Sequence, residues 1–161
     1  MKTLSYRSIF FILCTLFVSN SAYAAQWADE HGTNCVVEYP GNTFNGNIFY
    51  KGWGLDFTER PSLGNWVHCP VQVTGAEQVR YVYVRYWKSS TASRIWRVDF
   101  YNGGQFVQAI TPPAGVAGWN QFVLDLGAFK SFTNGLGISL GIATPTANTR
   151  YVFSDTGAYY Q

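Results

Sequence analysis

The 161-residue sequence has no sustained helical period, no internal repeat and no low-complexity tract. Its longest apolar run, residues 9–18 (IFFILCTLFV), is far short of the roughly 20 residues that a helix needs to cross a bilayer. Histidine falls to 2 and cysteine to 3. No acidic or basic block occurs. These shortages disfavour helical and mixed α/β folds, a spanning helix, and sites built from many thiols or imidazoles.

The short apolar run has a different meaning at the N-terminus. Lys2 and Arg7 precede it, and Ala22-Tyr23-Ala24 follows with the small-x-small pattern of a cleavage site before Ala25. Residues 1–24 are therefore expected to be a cleaved signal peptide and residues 25–161 one secreted or periplasmic domain. Cys14 follows Leu13 inside the apolar run, which disfavours lipid attachment there. The whole chain carries 11 Lys and Arg against 9 Asp and Glu. Loss of Lys2 and Arg7 brings the mature formal charge to zero, so a phosphate-tracking surface has no electrostatic support and no nucleic-acid partner is expected.

Two cysteines then remain. In an exported chain Cys35 and Cys69 read as one disulfide, worth roughly 3 to 4 kcal/mol in the chain-entropy account. The rival is a zinc site of His31, Cys35, His68 and Cys69. It fails on geometry, because adjacent residues of a strand point to opposite faces and His68 and Cys69 are adjacent.

What is abundant is Tyr, Phe, Trp, Val, Ile and Thr, in runs cut by Gly, Pro, Asn and Ser. Strands are expected at 35–39, 48–51, 66–73, 79–87, 94–101, 105–110, 121–126, 137–143 and 150–154, with a short one at 158–160. Turn chemistry separates them at Tyr39-Pro40-Gly41-Asn42, Asn102-Gly103-Gly104, Thr111-Pro112-Pro113 and Asn134-Gly135. The pattern predicts an all-β fold, a single-domain antiparallel β-sandwich or jelly roll with one disulfide. A small outer-membrane barrel also alternates, but the Gly- and Pro-rich loops and the disulfide favour the sandwich.

Aromatics make up 18% of the chain, more than one small core holds comfortably. Trp66, Trp96 and Phe100 are the expected core rings. In 79–87 the alternation leaves Tyr81, Tyr83, Arg85 and Trp87 on one face. In 94–101 it leaves Arg97, Asp99 and Tyr101. Paired as a hairpin, the two strands would join these seven residues into one amphipathic surface. Tyr and Trp suit stacking on sugar rings or docking a protein.

Catalytic signals are weak. Gly137-Ile138-Ser139-Leu140-Gly141 matches the nucleophile-elbow pattern, but no helix follows, and Ile138, Leu140 and Ile142 alternate as in a strand. The carboxylates Asp29, Glu30, Glu38, Asp56, Glu59, Glu77, Asp99, Asp125 and Asp155 are scattered, and no two have a claim to be a hydrolytic pair. A calcium ion on Asp29, Glu30 and Asp155 lacks a contiguous loop signature. No catalytic residue, metal or cofactor is expected.

Several ordered segments carry a likeness: Trp27-Ala28-Asp29-Glu30-His31-Gly32, Gly52-Trp53-Gly54, Asn65-Trp66-Val67-His68-Cys69-Pro70, Tyr101-Asn102-Gly103, Gly135-Leu136-Gly137-Ile138-Ser139 and Phe153-Ser154-Asp155-Thr156-Gly157-Ala158. Over nearly the whole mature chain the sequence resembles small exported microbial β-sandwich proteins catalogued only as a domain of unknown function. The resemblance implies a β-sandwich, with an apolar residue expected at the position of Cys69, and no characterised activity. The expected role is non-catalytic recognition of a glycan or cell-wall polymer through the aromatic face. The alternatives are a protein-protein surface, in an effector, inhibitor or self-assembling coat facing an envelope partner, and a polysaccharide-acting enzyme.

Overall fold

The computed structural model describes residues 26–73 and 78–161, so the expected signal segment with its expected cleavage point, and Glu77, lie outside the described residues. In chain order the strands are β1 (Gln26–His31), β2 (Val36–Val37), β3 (Thr43–Lys51), β4 (Gly54–Glu59), β5 (Asn65–Val71), β6 (Gln78–Lys88), β7 (Ile95–Asn102), β8 (Gln105–Ile110), β9 (Gly118–Ser131), β10 (Leu136–Ile142) and β11 (Thr149–Tyr160). They form two sheets. The first runs β3-β4-β11-β6-β9, with β1 added beside the C-terminal half of β11, and the second runs β2-β5-β10-β7-β8. Every strand pair among the described residues is antiparallel. The all-β sandwich expected from the sequence is what forms.

Alternation builds the core. β6 buries Val82, Val84 and Tyr86 and turns Tyr81, Tyr83, Arg85 and Trp87 outward. β10 buries Leu136, Ile138, Leu140 and Ile142, leaving Gly137, Ser139 and Gly141 on its outer side. Across the inner side of the first sheet Phe57 stacks on Tyr151 (6.0 Å, 24°), and Tyr86 stacks on Phe153 (5.9 Å, 25°). Each such ring, taken fully out of water, contributes roughly 1.5 to 3 kcal/mol. Cys35 and Cys69 are bonded and 1% exposed, closing a sequence separation of 34. Cys69 faces inward and His68 outward, so the two could not share a metal ion.

One expectation is overturned. β6 and β7 do not form a hairpin: β6 pairs with β11 and β9, whereas β7 pairs with β10 and β8. The connection between them crosses from one sheet to the other. Its first end is held when Ser89 N donates to Arg150 O (2.9 Å), and its far end when Ala143 N donates to Arg94 O (2.8 Å). The buried Lys88 ammonium spans the crossing by donating to Ser93 O at 2.8 Å. A chain tied to both sheets cannot double back.

Two of the three expected core rings are also outside. Phe100 is fully buried, but Trp66 is half-buried and Trp96 is 41% exposed. The cause in β7 is a bulge. Ile142 of β10 faces Ile95 while Gly141 faces Arg97, which makes Trp96 an extra residue. Trp96 and Arg97 therefore both turn outward, and Ile95 takes the core position.

Candidate functional site

The outer side of the first sheet carries four of the seven expected site residues. Rows follow from the register: Tyr81 lies between Tyr159 and Asp125, Tyr83 between Gly157 and Val123, Arg85 between Asp155 and Gln121, and Trp87 between Val152 and Trp119. β1 extends these rows, setting Trp27 beside Tyr159 and Asp29 beside Gly157.

Glycine shapes this surface. A Cβ on Gly157 would sit 2.4 Å from Cε1 of Tyr83 and 2.6 Å from the Ala28 carbonyl. The Tyr83 ring thus lies down on the strand backbone, and its hydroxyl donates to Asp29 Oδ1 at 2.9 Å. Partial burial, with the neighbouring Asp29 carboxylate, pushes the phenol well above its ordinary value and keeps it a donor. Trp27, 47% exposed, meets Tyr83 edge-on at 5.5 Å and Tyr159 at 5.3 Å, and Tyr159 reaches Tyr81 at 5.8 Å. Beside these rings a depression of about 480 Å³ is bordered by Trp27, Asp29, Tyr83, Arg85, Gln121 and Asp155.

Further along β6 the surface is ringed by Trp53, Trp87 and Trp119 around a hollow of about 210 Å³. Arginines lie against two of these rings: Arg85 is 5.4 Å over Trp119 and Arg150 is 5.7 Å over Trp87. Arg150 is itself fixed by a two-pronged pair with Asp56 (2.8 and 2.7 Å), which Lys51 joins at 3.2 Å. Burial would raise the Asp56 carboxyl, but the hydrogen bonds and charges of Arg150 and Lys51 outweigh it and hold the group below its ordinary value. The result is a row of fixed rings with carboxylate, amide and guanidinium groups at their edges.

Arg97, Asp99 and Tyr101 are on the far side of the sandwich, the outer side of the second sheet, with Arg97 donating to Asp99. The expected single surface is therefore two. Here Ser139 Oγ lies 2.8 Å from His68 Nδ1, and His68 Nε2 lies 3.1 Å from Glu38 Oε2. The order is that of nucleophile, base and orienting acid. The setting is wrong for acyl transfer, because Ser139 sits in mid-strand with β10 paired on both flanks, so its backbone amides are committed to the sheet.

Among the described residues no group of three or more His, Cys, Asp or Glu side chains is arranged to hold a metal ion. Of the calcium candidates, Asp29 and Asp155 border the same depression, whereas Glu30 accepts a hydrogen bond from Asn34 at 2.7 Å. The sequence pointed to none of Trp27, Trp53, Trp119 and Gln121 as site residues, and to Asp29 only as a calcium candidate. The signal that could have joined Trp27 to Asp29 was the weak alternation of Trp27, Asp29 and His31 in β1.

No family model matches the chain, and no curated protein matches it. Solved structures do. The chain is similar to the CBM36-1 domain of a multidomain xylanase from the hindgut metagenome of Trinervitermes trinervoides, at 9% identity and a TM-score of 0.50, covering 83% of this chain and 96% of that one. It also matches the C-terminal CBM6 of LamC, a marine laminarinase from Zobellia galactanivorans (9% identity, TM-score 0.48, 83% and 99% covered). A family 35 carbohydrate-binding module from Clostridium thermocellum matches at 15% identity, TM-score 0.47, with 82% and 98% covered. At such identities the first of these likenesses shows a shared β-sandwich fold, and that alone.

Proposed function

We propose that the protein is an exported, non-catalytic domain that binds a glycan or cell-wall polymer across the outer face of its first sheet. One observation carries the reading: Trp27, Tyr81, Tyr83 and Tyr159 form a connected ring platform whose border holds Asp29, Arg85, Gln121 and Asp155. Sugars are apolar on their ring faces and polar around their rims. A ligand of that kind stacks on fixed aromatics while planar carboxylate, amide and guanidinium groups pair its hydroxyls. The fold shared with a carbohydrate-binding module supports the reading. The signal-like N-terminus supports export, and the ordered motifs support kinship with small exported microbial β-sandwich proteins.

The test is affinity electrophoresis and calorimetry of the intact protein against xylan, glucomannan, laminarin and peptidoglycan. Trp27→Ala and Trp87→Ala, each correctly folded, are expected to weaken binding at least about tenfold, the scale of a buried aromatic anchor. Binding unchanged in both would remove this face as the site. A second reading draws on the edge strand β3, where Phe49 and Tyr50 are 47% and 54% exposed. It makes the domain a protein-binding module, and concentration-dependent sedimentation without glycan binding would favour it.

A further inference from the structure

We propose that the outer face of the second sheet is a separate glycan-binding groove, so that the domain holds two polysaccharide strands, one on each side of the sandwich. The proposal rests on the reading of the first face as a sugar site, and adds a site and a consequence, cross-linking.

The groove is written in the strand that resembled a nucleophile elbow. β10 is central to its sheet, and its outward residues are Gly137, Ser139 and Gly141. Such small residues make a low floor between taller neighbours. On β5 Trp66 faces Gly141, His68 faces Ser139 and Pro70 faces Gly137. On β7 the same three positions face Arg97, Asp99 and Tyr101. At one end a Cβ on Gly141 would lie 2.8 Å from Trp96 Nε1 and 3.1 Å from Trp66 Cη2, so both indoles rest on the backbone, edge to face at 5.9 Å. At the other end the floor is open: a Cβ on Gly137 would come no nearer than 3.5 Å to Tyr101 Cβ. Tyr101 there meets Phe106 edge-on at 5.8 Å.

Hollows of about 480 and 530 Å³ lie at these two ends. Gly137 and Gly141 are about 13 Å apart at the rise of a strand. Between them stands a polar row of Glu38, His68, Ser139, Asp99 and Arg97, linked as described above. Rings at both ends with hydrogen-bonding groups between suit a ligand that repeats apolar faces and polar rims along its length. An apolar peptide would take the Arg97–Asp99 and His68–Glu38 pairs out of water and offer them no new hydrogen bonds, a desolvation cost that disfavours a protein occupant. The first face uses the same device, a ring laid on a central-strand glycine, with Tyr83 on Gly157. The core separates the two faces, so one polymer strand cannot occupy both.

The experiment is calorimetric titration of the intact protein with xylohexaose, mannohexaose and laminarihexaose, together with light scattering in the parent polysaccharides. We expect two oligosaccharides per chain. Trp96→Ala with Tyr101→Ala should reduce this to one and abolish cross-linking scatter, and Trp27→Ala with Trp87→Ala should also leave one. Where the Trp96 variant melts early, Tyr101→Ala with His68→Gln carries the same test. One oligosaccharide per chain, lost only on substitution of the first face, overturns the second groove and leaves the proposed function standing. One lost only on substitution of the second face overturns the first-face site and the two-strand arrangement, and binding of none of the three overturns the two-strand proposal while the first face still answers to the polysaccharide and peptidoglycan test above.

Discussion

Replacing Glu59 by glutamine should remove a pH dependence of stability that the fold builds in. Glu59 ends β4, is fully buried, and accepts one hydrogen bond from Asn65 at 3.3 Å, while its Oε1 has no partner among the described residues. Burial pushes its carboxyl from 4.5 up to about 7, against the smaller lowering effect of Asn65. The folded state therefore binds this proton more tightly than the unfolded chain. Its contribution is complete below pH 4.5 and is lost as pH rises through about 7. The gap, at about 1.4 kcal/mol per pH unit, is on the order of 3 kcal/mol, or about 10 °C in Tm for a domain of this size. Thermal and urea melts at pH 4, 5, 6, 7 and 8 should show the native protein losing stability relative to Glu59→Gln across that window. Other titrating groups are common to both and cancel in the difference. Parallel curves would refute the reasoning, and would mean that the carboxylate is paired or hydrated in the folded state.

Three further outcomes follow from the geometry. Gly157→Ala should destabilise the fold by roughly 1 to 3 kcal/mol and weaken glycan binding, because the added carbon meets the Tyr83 ring and the unyielding Ala28 carbonyl; equal melting temperatures would contradict it. Arg150→Met should cost about 1 to 3 kcal/mol in urea melts, since Asp56, whose side chain is 4% exposed, would keep only Lys51 as a partner. Asp56→Asn made in the Arg150→Met background should recover part of that loss, and no recovery would mean that the charge is not its cause. Cys35→Ala with Cys69→Ala should lower stability by about 3 to 4 kcal/mol, as the bond closes a separation of 34 residues, and a smaller loss would point to residual structure in the unfolded chain.

The sandwich was legible because its strands alternate and its turns are punctuated, but two strands escaped that reading. β4 buries Asp56 and Glu59 along with Leu55 and Phe57, so a polar residue that is paired or protonated inside reads in sequence as a surface one. β1 joins the sheet at the edge of β11 with few buried side chains, and its period of two has little apolar contrast. The expected strands at 150–154 and 158–160 are one, β11, which runs on through a register shift at Ser154. Local signals locate strands; they do not locate a bulge.

The site was legible by halves for the same reason. Alternation along β6 correctly sends Tyr81, Tyr83, Arg85 and Trp87 outward, because that property is local. Which strand lies beside β6 is not local. Its neighbours are β9 and β11, whose paired residues lie some 30 to 80 positions further on, and the next strand in sequence crosses to the other sheet. What does bridge the two scales is glycine in a central strand. Gly157 in β11 and Gly141 in β10 each lack a side chain where both neighbouring strands are close, and each is covered by an aromatic ring from a neighbour. A ring laid over such a glycine is held by the backbone beneath it. It is immobilised before any ligand arrives, which removes part of the ordering cost of binding. The exposed aromatics of this chain are thus more than spillover from a full core. Where a mid-strand glycine underlies a ring, as in both sheets here, the missing side chain seats an outward-facing aromatic on the backbone.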